Sequence, residues 1–351
     1  MFCCEECPAK KGSEPLWLRE SRLEECLGVI CAERGVPAVG GIVVSSGGVV
    51  CEAVSGVRVR GGEVASASDK WHLGSCGKAM TATVAARLVE RGVIEWSTRC
   101  GEVIGCATHE SLADVTLLDV LSHTGGFAET PREVRRYVRE TRDSPRAARR
   151  EAARRILEKG PAYAPRSESR YSNDGYLVAG AMLEAAADCP FEALVRAEVA
   201  EPLGLDSLGF GPPPELGGHD SRGRHLRRDN PPAYSPAGCA HASLRDWAKF
   251  LHLHLRGLRG LADDYLPLAA LQALHEPPVR PPRALGWIKA CRPHMGGRVS
   301  QHSGTNTFFY ANVWILPNRD RALLAVCNQG GPGGKRATDD VVAALISKFL
   351  Q

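Results

Sequence analysis

Ser75-Cys76-Gly77-Lys78-Ala79-Met80-Thr81-Ala82-Thr83-Val84-Ala85-Ala86 is the stretch on which the reading of this chain turns. Its spacing predicts a helix from about Ser75 to Arg91, closed by Gly92 as a C-cap. The eight residues after Lys78 carry no charge, so the helix is expected to be buried and Lys78 with it. One helical turn separates Ser75 from Lys78, which sets both on one face. A lysine held among apolar neighbours without a function is costly. A serine hydroxyl needs a base beside it to act as a nucleophile. Lysine is such a base only when burial or nearby cations lower its pKa. S-x-x-K fixes just two residues, so its chemistry has to be supported from elsewhere in the chain.

Working outward, residues 1–16 read as a disordered tail. Leu16 to Arg34 has helical periodicity and ends at Gly35. Two strands follow, Ala38–Ser45 and Val49–Ser55, joined by Ser46-Gly47-Gly48. The middle is helical: Thr116 caps Leu117–Ser122, and Asp174–Ala187, Phe191–Val199 and Ser243–Leu258 are further helices. Residues 211–235, rich in Pro, Gly, Arg and His, read as a surface loop. Ala284–Ala290, Val299–His302, Phe308–Leu316 and Arg321–Asn328 read as a meander, with Thr338–Leu350 as a closing helix. This order predicts an α/β (α+β) fold. One antiparallel sheet is built from both ends of the chain, its faces covered by the terminal helices. The expected division is a discontinuous sheet domain, 17–70 and 282–351, and a helical domain, 71–281, that carries Ser75.

The 351 residues are enough for a large core, and 44% apolar with 24% charged residues is ordinary for a globular chain. A net charge of +4 is too balanced to imply nucleic acid or an acidic membrane surface, and no apolar run is long enough to span a bilayer. The start of the chain has neither a basic n-region nor an apolar h-region, which predicts no secretory signal and a cytoplasmic protein. The thirteen cysteines are scattered, as free thiols in a reducing compartment would be. Cys3, Cys4 and Cys7 lack a second ligand pair at zinc spacing, so neither a metal nor another cofactor is expected. Residues 131–159 hold ten arginines, one lysine and five acids, and read as a solvated helical pair broken near Pro145 or else as an anionic docking surface.

Two more elements join the first. Tyr171-Ser172-Asn173 precedes a helix, where its plain reading is a turn with an Asx cap. A phenol and an amide there also supply proton transfer and hydrogen bonding. His302-Ser303-Gly304-Thr305 ends a strand, and a glycine at that point lets a substrate approach the backbone. In this order, S-x-x-K, Y-x-N and H-x-G resemble the motifs of the class C β-lactamase and penicillin-binding serine hydrolase superfamily. Lys70–Ser75, Leu118–Gly126, Ser235–Gly238 and Asp246–Phe250 add local similarity, and the resemblance covers residues 20–350. No G-x-S-x-G occurs, which argues against an α/β-hydrolase elbow.

The resemblance implies a β-lactamase-like fold with the site between sheet and helical domain. It implies Ser75 as the acylated nucleophile and Lys78 with Tyr171 as shared general base. Asn173 would hold Lys78 and the substrate, and His302 would line the cleft opposite. The backbone N–H groups of Ser75 and Thr305, beside Gly304, would form the oxyanion hole, where loss of one donor costs about 3 kcal/mol. The expected substrate is a small-molecule ester or amide. His302 stands where the family's K-T-G has a fixed cation. Histidine is only partly charged at pH 7, which moves the expectation from β-lactamase towards esterase or D-peptidase. The alternative is a non-catalytic acyl- or peptide-binding protein, or a scaffold, on the same fold. Cys76 reads as a small buried filler. Oligomeric state and the identity of the substrate are left open by the sequence.

Overall fold

A computed structural model describes residues 22–127, 130–261 and 264–350. The expected tail at 1–16, with Cys3, Cys4 and Cys7, lies outside these. So does the part of the first expected helix that precedes residue 22. From there the chain forms α1 (Leu23–Arg34), then the hairpin β1 (Ala38–Ser45) and β2 (Gly48–Gly56). The helical block follows, with α2 (Lys78–Glu90), α3 (Arg132–Glu140), α4 (Pro145–Lys159), α5 (Asn173–Ala187) and α6 (Leu244–Leu258) as its main helices. The chain closes through β3 (Ile288–Arg292), β4 (Gly297–Thr305), β5 (Tyr310–Leu316), β6 (Arg321–Cys327) and α7 (Gly331–Phe349).

The six strands form one antiparallel sheet in the order β2-β1-β6-β5-β4-β3. Its centre is the pairing of β1 with β6, from Val39 opposite Cys327 to Val44 opposite Ala322, which joins the two ends of the chain. Apart from Ser45 and Arg321 at their ends, both strands are apolar and buried because both faces are covered. Val39 and Val43, with Leu323 and Ala325, pack with α1 and α7 in one core. Ile42 and Val44, with Leu324 and Val326, belong to the core on the opposite face, which continues through α6 and the helical block. This corrects the expectation that the terminal helices cover both faces. They share one face, and α6 covers the other.

Residues 211–235 also depart from the expected surface loop. Leu216 and His219 are buried, and the His219 N–H is shared between the carbonyls of Phe308 and Asn328. Of the Arg-rich segment, Arg149 is fully buried, paired with Glu184 and with Glu192 at 2.7 Å, which departs from the expected solvated pair at that position. The ten described cysteines are free thiols. No helix among the described residues is long and apolar enough to cross a membrane.

Candidate active site

Ser75 lies on a 3-10 turn, Gly74–Gly77, that runs directly into α2. Gly74 opens the turn at φ +52°, and the chain arrives from the two-residue strand Trp71–His72. That strand pairs with Ala240–Ala242. The turn packs against the end of β4, and two glycines make the approach possible. A Cβ on Gly304 would lie 2.1 Å from the Leu73 carbonyl oxygen and 2.6 Å from the Ser75 nitrogen, and one on Gly74 would lie 2.3 Å from the Thr305 nitrogen. The neighbour that demands glycine at 304 is therefore the Ser75 turn itself, not an approaching substrate as the sequence reading had it.

Lys78 is fully buried on the first turn of α2. Its Nζ lies 3.2 Å from Ser75 Oγ, 2.8 Å from Asn173 Oδ1 and 2.5 Å from the Ala237 carbonyl oxygen. Burial lowers its pKa from the ordinary lysine value to about 7, since no carboxylate reaches it to hold the charge. Tyr171 donates its hydroxyl proton to Ser75 Oγ. Although 37% of the residue is exposed, its phenol is turned inward, and burial pushes it up to about 12. The Lys78 nitrogen lies 4.7 Å from the centre of the Tyr171 ring. Asn173 is free to meet Lys78 because the helix cap expected of it is made by Ser172, whose Oγ accepts from the Gly175 N–H.

His302 is also buried, and its ring centre is 6.3 Å from that of Tyr171. Its Nδ1 donates to the Ser303 carbonyl at 2.8 Å, which leaves Nε2 as an acceptor. Burial lowers its pKa to about 4, helped by Lys78, so this corner carries no charge at neutral pH, where the sequence had suggested a partial one. Ser75, Lys78, Tyr171, Asn173, His302, Gly304 and Thr305 thus converge on one point. Cys76 is buried as expected, and burial pushes its thiol up to about 12.

Several supporting residues were not read from the sequence. His123, in the left-handed region at φ +62°, accepts the Ser172 N–H on Nδ1, and its ring packs, tilted by 33°, with its centre 4.8 Å from that of Tyr171. His72 accepts the Gly74 N–H on Nδ1, so its ring proton sits on Nε2 and is donated to Asp229 at 2.9 Å. Asp229 accepts in turn from Asn306 Nδ2 at 3.0 Å, and Asn306 Oδ1 holds the N–H groups of Phe308 and Phe309. A buried polar chain thus links the Ser75 turn to the loop that follows β4. His72 and His123 sit inside stretches already singled out. Asp229 gave no signal, because nothing in the sequence of a long irregular segment says which side chain folds inward.

A cavity of about 280 Å³ opens beside Ser75, lined by Asn173 and Thr305 among others. A larger groove, about 830 Å³, lies between α4, α5 and residues 103–106 and contains none of these residues. No group of His, Cys, Asp or Glu among the described residues is arranged to hold a metal ion.

A model of the Beta-lactamase family matches residues 21–348. An unguisins hydrolase from Aspergillus campestris (strain IBT 28561) is 24% identical over 288 residues, covering 74% of this chain and 52% of that protein. The chain thus spans about half the length of that curated relative. Among solved structures, an octameric penicillin-binding protein homologue from Pyrococcus abyssi superposes with a TM-score of 0.77 at 20% identity, over 93% of this chain and 77% of that one. SurE in complex with D-Leu gives 0.76 at 22% identity, over 93% and 75%. The D-alanine carboxypeptidase AmpC from Burkholderia cenocepacia gives 0.73 at 17%, over 92% and 98%. These likenesses concern the fold.

Proposed function

The chain belongs to the Beta-lactamase family, and from that premise we propose that it is a serine hydrolase that forms an acyl-enzyme at Ser75 and cleaves small esters or amides. One observation carries this reading: Ser75 Oγ stands between the Lys78 nitrogen and the Tyr171 hydroxyl, with the lysine buried and its pKa lowered to about 7. A neutral lysine has two N–H bonds and one lone pair. The Asn173 oxygen and the Ala237 carbonyl take the two N–H bonds, so the lone pair is left for the Ser75 proton.

On this reading Ser75 attacks the substrate carbonyl as its proton passes to Lys78. The Tyr171 phenol, protonated at rest, gives its proton to the leaving group, and the phenolate so formed is stabilised by the ammonium of Lys78 until the proton is returned. Water then cleaves the acyl-enzyme, its proton taken up by the Lys78–Tyr171 pair. The N–H groups of Ser75 and Thr305 serve the oxyanion, supported by the close approach at Gly74 and Gly304 and by the N-terminal end of α2. The uncharged His302 supports an ester or peptide substrate over a β-lactam, whose carboxylate it would not hold by charge. The relative named as an unguisins hydrolase supports hydrolysis as the reaction class.

A fluorophosphonate probe followed by intact mass measurement tests the reading, together with turnover of 4-nitrophenyl acetate. The wild-type protein is expected to gain one adduct and to turn over the ester. Ser75→Ala is expected to do neither. Equal turnover by the two proteins would remove Ser75 from the mechanism.

A further inference from the structure

The cavity beside Ser75 is asymmetric in charge. Arg135 and Arg139 of α3 line it, one helical turn apart on the same face. No carboxylate is among the described residues that line it. Most other arginines on α3 and α4 are matched with acids: Arg136 with Glu140, Arg146 with Asp188, Arg149 with Glu184 and Glu192, and Arg154 with Glu151 and Glu158, whereas Arg132 and Arg150, which do not line the cavity, have no ion pair among the described residues. Arg135 makes one hydrogen bond, to the Thr130 carbonyl at 3.0 Å, and no ion pair among the described residues. Arg139 has neither a hydrogen bond nor an ion pair among them, and both side chains are exposed. Two cations thus line the Ser75 cavity without an ion pair among the described residues; the buried Asp174 carboxylate, which accepts from Thr130 and Tyr234, is the one described acid whose charge Arg135 influences.

The cavity also has a side. Asn173 and Thr305 line it, whereas Tyr171 and His302 do not. If Tyr171 protonates the leaving group, as proposed above, the leaving group departs towards Tyr171 and the acyl portion extends into this cavity. We propose that Arg135 and Arg139 select substrates whose acyl portion carries a carboxylate, so that the preferred class is a half-ester or half-amide of a dicarboxylic acid. The selection of the acyl side rests on the hydrolase reading. The presence of an anion site beside Ser75 rests on the two arginines. A guanidinium matches a carboxylate in a bidentate fork, and a pair one turn apart offers two such forks. Both arginines border solvent, so the effect is screened by salt.

Two measurements separate the inference from the reading it rests on. The first is calorimetric binding of adipic acid monoamide and of hexanamide to the Ser75→Ala protein, which needs no catalysis. The anionic amide is expected to bind about tenfold more tightly than the neutral one. That preference should shrink as salt rises, disappear when Arg135→Gln and Arg139→Gln are added, and persist with Arg135→Lys and Arg139→Lys, which keep the charge. The second is kcat/KM for the 4-nitrophenyl half-ester of adipic acid relative to 4-nitrophenyl hexanoate in the Ser75 protein and its double-Gln variant. Here the ratio is expected to fall about tenfold in the variant. Equal binding of the two amides, or a preference that survives the double-Gln change, overturns the inference even if both esters are cleaved. Selective binding without Ser75-dependent turnover overturns the hydrolase reading and leaves the anion site standing.

Discussion

At the scale of single residues, the site depends on what burial does to three titratable groups. Lys78 is brought down to about 7, Tyr171 is pushed up to about 12, and His302 falls to about 4. Each shift runs in the direction that disfavours the charged form, as desolvation requires. The consequence is a neutral phenol, a neutral imidazole and a lysine close to half-ionised at neutral pH. If Lys78 takes the Ser75 proton, kcat/KM for a neutral ester should rise with pH as the lysine deprotonates, with a midpoint near 7. An ordinary solvated lysine would place that rise above pH 10. A pH–rate profile from 5.5 to 9 therefore discriminates: a flat profile across that range would exclude Lys78 as the titrating base. The sequence already made Lys78 legible, because eight uncharged residues follow it on the same helix. The charge of His302 was not legible. It depends on Lys78, from another part of the chain, and on burial against the helical block.

The elements tell a related story about what local pattern can and cannot carry. The β1–β2 hairpin was expected to within a residue because two apolar runs flank a Ser-Gly-Gly turn. The Thr116 cap was equally local, and it is made as a capping box with Asp119. The closing helix begins seven residues before its expected start, at Gly331, through Pro332 and two further glycines. Helix propensity argues against that turn, but proline is tolerated at the start of a helix, and tertiary packing overrides propensity. The contact between the Ser75 turn and β4 has no local signature either, since Gly74 and Gly304 are 230 residues apart in the chain. Their juxtaposition makes Gly304→Ala a severe test. The new methyl would meet the Leu73 carbonyl oxygen at 2.1 Å, so strand and turn must separate. A displacement near 1 Å at a reacting centre can cost about a hundredfold in rate, and a loss of that order in kcat is expected. Asp229→Asn acts on the same contact from its far side. It weakens the chain from His72 to Asn306 without changing shape, and Asp229 does not line the cavity. Its expected signature is a fall in kcat with KM little changed. A rise in KM alone would mean that Asp229 contacts substrate instead.

Across the whole molecule, the site exists because the chain's two ends close one sheet while its middle supplies the nucleophile. β1 pairs with β6 from the far end, and the block between them carries α2 onto the sheet face that holds His302. The sequence order of strands and helices makes this closure legible, whereas the sharing of one face by α1 and α7 emerges only from packing. A base buried at such a junction weakens the fold in a way that pH exposes. The pKa of Lys78 is about 7 in the folded protein against 10.5 for a solvated lysine. Between those values the unfolded chain binds a proton that the folded chain does not, so the fold loses about 1.4 kcal/mol for each unit by which pH falls. Below about pH 7 both states hold the proton, and the loss levels off. Lys78→Met lacks this linkage. The lost contacts to Asn173 and Ala237 fix its stability relative to wild type at high pH, but they add no pH dependence of their own. The difference in Tm should therefore move steadily in the variant's favour from pH 10 to pH 7 and stay constant from pH 7 to pH 6. Titrating groups that do not interact with Lys78 are common to the two proteins and cancel in the comparison. A difference that does not change with pH would mean that Lys78 keeps an ordinary lysine pKa in the folded protein, and it would remove the neutral lysine from the proposed mechanism.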